Sequence, residues 1–91
     1  MISQEKALKL TERNIGLSNE ADKICKVIGD MPVAHFPFLR DKLIELHEEM
    51  YENAVELYAY WIQERQFWSA SLLIESQLCL EKALYLLKTA A

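Results

Sequence analysis

Two histidines and a run of glutamates are the residues of this 91-residue chain that chemistry would call on first. His47 stands among Leu43, Leu46 and Met50, near the middle of an apolar arc drawn at helical spacing. An imidazole there can act as a base or a ligand. The reading expected is the plainer one, a half-buried ring bonded to a neighbour. Metal binding needs companions: di-iron bundles place a glutamate three residues ahead of the histidine, and here Ile44 holds that position. His35 has no Cys or Asp at ligand spacing, so neither a metal nor any other cofactor is expected. Glu45, Glu48, Glu49, Glu52 and Glu56 gather on one helix side. Like charges three and four residues apart describe a solvated face.

Asn14 is a sharper feature. It interrupts a seam of Ala7, Leu10, Leu17, Ala21, Ile24, Ile28 and Met31 that keeps a strict 3-4 spacing. A buried Asn in such a seam lowers stability but sets register and partner number. The alternative is an exposed Asn beside a kink at Gly16. Cys25 and Cys79 lie far apart in apolar company, without a CxxC pair, and are expected to be buried thiols in a reducing cytosol.

Five of the nine aromatics fall between Tyr58 and Trp68. Trp61 continues the seam of its helix, whereas Tyr60 stands about 60° outside the apolar arc at 100° per residue. Trp68 follows Phe67, where the helical phase fails. Tyr60 and Trp68 are therefore candidate anchors for a partner, being residue types enriched at binding hot spots. A hairpin end closed by aromatics is the competing reading.

The elements that carry these residues follow from periodicity. The fold class expected is all-α, an antiparallel bundle of about three amphipathic helices in one domain, 1–91. Helix 1 spans about 3–29, with Ser3 as its N-cap. It continues through Gly16 because the seam keeps phase, with a kink or break there left open. The loop 30–36 holds Gly29-Asp30-Met31-Pro32 at its start and Phe36-Pro37 at its end, with Val33, Phe36 and Phe38 folding back onto the bundle. Helix 2 spans about 37–65, with Pro37 in its first turn, where a missing N–H does no harm. Its stripe Leu39, Leu43, Leu46, Met50, Ala54, Leu57 and Trp61 lies beside a second, Ile44, Tyr51, Val55, Tyr58 and Ile62. An arc that wide asks for two neighbours, so helix 2 is central. No Gly or Pro marks the next turn; Ser69 or Ser71 can cap helix 3, about 69–89. That helix is apolar on two sides: a broad core face including Leu72, Leu73, Cys79, Leu80, Leu86 and Leu87, and a second stripe of Ile74, Leu78 and Tyr85.

Composition narrows the function classes. Only two Gly and two Pro occur, where average usage gives roughly ten in this length, which leaves few turns for an all-β fold. A net charge of −4 opposes general affinity for nucleic acid or anionic lipid. The opening MISQEKALKLTERN lacks a continuous apolar run, so no signal peptide is expected. No stretch reaches the roughly 20 apolar residues of a membrane span, and a cytoplasmic location is expected.

Two resemblances attach to short stretches. Phe67-x-x-Ala70 after the turn resembles one tetratricopeptide unit, though without repeats and without the small residues of that unit's first helix. Phe67-x-x-Ala70 with Glu81-Lys82-Ala83-Leu84 resembles HEPN-type helical domains, which include dimeric ribonucleases with an Arg-x4-6-His motif. Arg40 and His47 have that spacing, but they precede the Glu-Lys-Ala-Leu helix instead of following it. The resemblance implies, as an alternative, a ribonuclease or nucleotide-handling dimer using Arg40 and His47.

The residues themselves point elsewhere. With no catalytic constellation and surplus apolar surface on helix 3, the function expected is a non-enzymatic helical interaction protein, a regulator, adaptor or chaperone-like module. It would work as a homodimer or with a protein partner, through Tyr60, Trp68, Ile74, Leu78 and Tyr85, while Asn14 and His47 serve as register-setting or buried polar residues.

Overall fold

The side chain of Ser3 accepts a hydrogen bond from the backbone N–H of Lys6 at 3.1 Å and so starts the first helix. Capping satisfies one of the amides left unpaired at a helix start. In the computed structural model, which describes residues 2–90, that helix is α1 (Gln4–Ile28). It runs unbroken through Gly16, where an added Cβ would meet nothing within 4 Å. Its seam buries Ala7, Leu10, Leu17, Ala21 and Ile28. Met31 does not continue the seam and is exposed. The reason is local: Gly29, at φ +61 and ψ −131, turns the chain out of helical geometry before Met31 is reached.

A short 3-10 turn, Val33–His35, leads into α2 (Pro37–Gln63), with Pro37 in the first turn as anticipated. Val33 and Phe36 pack onto the core. Phe38 does not: it stands exposed, one residue into α2 and on its outer side. The inner seam of α2 is Leu43, Leu46, Met50, Ala54, Leu57 and Tyr60, all buried. Burial of one such aliphatic side chain stabilises a fold by about 1.5–3 kcal/mol.

The turn into α3 (Phe67–Thr89) needs no glycine. Arg65 adopts φ +59, its N–H donates to the carbonyl of Ile62 at 3.1 Å, and the N–H of Gln66 donates to Trp61 at 2.9 Å. This pair of bonds is a Schellman motif built on a left-handed arginine. It reverses the chain within Glu64-Arg65-Gln66, so α3 begins at Phe67, earlier than Ser69, and no side chain caps it. Ser71 instead bonds back to the carbonyl of Trp68.

The result is an all-α bundle of three helices with no strand among the described residues. It measures 44 × 20 × 18 Å. Helix α2 is central: α1 packs along one of its sides and α3 along another, while α1 and α3 scarcely meet. The core therefore belongs mainly to α1 and α2, with Leu73, Leu80 and Leu87 of α3 resting against it.

Candidate functional site

The polar groups that hold α1 to α2 lie along one edge. Arg13 grips Glu49 with two bonds, Nε–Oε2 at 2.7 Å and Nη2–Oε1 at 3.0 Å. That bond raises the pKa of Arg13 and holds the Glu49 carboxyl below the usual carboxylate range. Next to this pair, Asn14 is half-buried; its Nδ2 donates to the carbonyl of Met50 at 3.2 Å and its Oδ1 accepts from Asn53 at 2.9 Å. On the α2–α3 side, the Tyr51 hydroxyl donates to Glu81 at 2.8 Å, which raises the Tyr51 pKa. Gln77 reaches the carbonyl of Ala54 at 3.4 Å.

The histidine and arginine that could have done chemistry have separate partners. His47 is half-buried, and its Nδ1 donates to the carbonyl of Leu43, one turn back, at 2.7 Å. Arg40 Nη1 donates to the carbonyl of Ala90 at 3.1 Å, and Nη2 lies 3.6 Å from the Asp41 carboxylate. Arg40 thus ties the start of α2 to the end of α3. Among the described residues, no group of three His, Cys, Asp or Glu is placed to hold a metal ion.

Three expectations about side-chain placement need correction. Tyr60, expected outside the apolar arc, is 7% exposed and packs with Ala7, Leu10 and Leu57. Trp61, expected on the seam, is only half-buried and meets the Tyr60 ring edge-on at 5.0 Å. The seam forks after Leu57, since i+3 and i+4 both continue a helical stripe. The N-terminal part of α1 lies over the i+3 branch, so Tyr60 goes inside and is not available as a surface anchor. Second, Cys25 and Cys79 are not buried; both are exposed and unpaired. Third, Leu72, Cys79 and Leu86, assigned to the core face of α3, are exposed as well.

The third correction exposes a feature that helix-by-helix reading missed. Because α1 and α3 do not close over α2, a groove of about 570 Å³ runs between them. Thr11, Asn14, Ile15 and Ser18 form its α1 wall, and Ala54, Leu57 and Trp61 lie in its floor. Leu72, Ser76 and Cys79 stand on the α3 wall. Among the described residues, no charged one lines it. A signal for it was present in the sequence: Ser69, Leu72, Ser76 and Cys79 repeat at 3-4 spacing without a charge. On the other flank of α3, Ile74, Leu78 and Tyr85 are exposed; so is Trp68 near the start of the helix.

No protein-family model matches this chain, and neither a curated protein nor a solved structure is significantly similar to it. The tetratricopeptide and HEPN resemblances stay confined to the few residues that carry them. None of the helices is long and apolar enough to cross a membrane, among the described residues.

Proposed function

We propose that this chain is a non-enzymatic helical interaction protein, an adaptor, regulator or chaperone-like module that works by covering α3 with another polypeptide. One observation carries the reading: of the 23 residues of α3, only Ala70 is buried. A helix that apolar is normally enclosed on every side. Here Trp68, Leu72, Ile74, Leu78, Tyr85 and Leu86 face solvent. Exposed apolar surface on that scale marks a site of protein association. The two exposed, unpaired thiols suit a reducing compartment, and we take the protein to be cytoplasmic.

The alternative, a ribonuclease using Arg40 and His47, draws no support from their bonding, since each is engaged by a backbone carbonyl in its own surroundings.

Co-purification tests the proposal. The tagged chain is recovered from its native cells beside a variant carrying Leu72→Glu and Leu78→Glu, one charge on each flank of α3. A stoichiometric companion, another protein or an untagged copy, is expected with the unaltered chain and is lost with the variant. Recovery of the chain alone, with both forms folded, overturns the reading.

A further inference from the structure

Resting on that reading, we infer that the groove between α1 and α3 is filled by a second copy of this chain, each copy laying the groove side of its α3 into the groove of the other. Three observations converge on this occupant.

The first is area. A compact monomer of 10.6 kDa exposes about 5,500 Å², whereas this chain exposes 6418 Å². The surplus, about 900 Å², belongs in part to the elongated 44 × 20 × 18 Å shape and leaves room for an interface of ordinary size, roughly 800 Å² per partner.

The second is chemical matching. An uncharged groove admits only an uncharged stripe, because an unpaired charge taken out of water is strongly unfavourable. The stripe of α3 that borders the groove, Ser69, Leu72, Ser76 and Cys79, meets that condition along its length. Small residues at Ser76 and Cys79 let a second helix approach closely near its middle. The opposite flank is a poorer match. There Glu81 stands among Ile74, Leu78 and Tyr85 and is engaged by Tyr51.

The third is symmetry. In a two-fold pair the same patch meets itself, and reciprocal insertion closes the assembly. Two α3 helices crossing at their midpoints would then bring Cys79, one residue from the centre of Phe67–Thr89, opposite its counterpart.

The experiment is a mass measurement by light scattering at tens of micromolar chain, joined to a cross-link. The unaltered protein is expected at twice the chain mass. Leu72→Glu and Ser76→Glu, at groove-lining positions that are exposed in the single copy, are expected to keep their helical circular dichroism and fall to the mass of one chain. Ile74→Glu and Tyr85→Glu are expected to remain paired. A short bismaleimide is expected to join Cys25→Ser chains in pairs through Cys79 and to leave Cys79→Ser chains single. A monomeric unaltered protein overturns the inference, as does a dimer broken only by the Ile74 and Tyr85 variants, or one joined only through Cys25. If the protein is monomeric yet the co-purification above yields a different stoichiometric companion, the second copy is wrong and the interaction reading stands. With no companion of either kind, both fall.

Discussion

Asn14 and Asn53 are joined across the α1–α2 seam by a 2.9 Å hydrogen bond, the Nδ2 of Asn53 donating to the Oδ1 of Asn14. Asn14 passes the connection on to the carbonyl of Met50. In a seam of Ala, Leu and Ile, the bond is satisfied only when α1 sits at one height on α2. Asn14→Ala is expected to lower unfolding free energy by about 1–2 kcal/mol, because it leaves Asn53 without its partner. A double-mutant cycle with Asn53→Ala, read by urea denaturation, should show a coupling of at least about 0.5 kcal/mol. Strict additivity would mean that the two amides do not act together.

The neighbouring Arg13–Glu49 pair predicts a pH dependence. Glu49 has its carboxyl pKa depressed in the folded chain, chiefly by the Arg13 hydrogen bond. A depressed carboxylate contributes stability that is present above its unfolded pKa, about 4.3, and lost as pH falls through its lower folded value. The unaltered protein should therefore melt slightly above Arg13→Ala at pH 7. The gap should close as the solution is acidified below the usual carboxylate range. Both side chains are solvent-accessible, so added salt should narrow the gap as well. A gap that persists in acid would assign it to packing of the Arg13 stem.

Tyr60, Trp61 and Trp68 should separate by burial. Tyr60→Ala removes a core ring and is expected to cost about 3–5 kcal/mol. Trp61→Ala, at a half-buried position, should cost clearly less. Trp68 is 77% exposed, and its removal should change stability by no more than about 0.5 kcal/mol. Melts in the Leu72→Glu background keep self-association from contributing. Equal losses at Tyr60 and Trp68 would contradict the placement of these rings.

Three turn and helix positions should respond to glycine chemistry with opposite signs. Arg65 holds a left-handed conformation, and Arg65→Gly should stabilise by about 0.5–1 kcal/mol by relieving it. Gly29→Ala puts a Cβ at φ +61 and ψ −131 and should destabilise by about 1–3 kcal/mol. Gly16→Ala, inside α1 with open space around it, should stabilise by about 0.5–1 kcal/mol. Thermal or urea unfolding of the three single variants checks all three signs.

These positions also divide what was legible in the residues from what was not. Helix number, the cap at Ser3, the place of Pro37, the central role of α2 and the seam from Ala7 to Ile28 were all readable, because periodicity and breaker residues act locally. Nothing local announced Arg65 as the left-handed residue of the α2–α3 turn: glycine is the usual signal, and here the flanking helices impose the conformation on an arginine. The choice between Tyr60 and Trp61 was equally open, since both continue the stripe after Leu57 and only the position of α1 decides which is covered. The groove lies further still from a single helix's pattern. Periodicity tells which residues of α1 and α3 share a side, but whether those sides meet depends on the angle between the two sites on α2 that they occupy. Tertiary packing keeps α1 and α3 apart, and Leu72 and Cys79 stand at the edge of an open groove instead of inside a core.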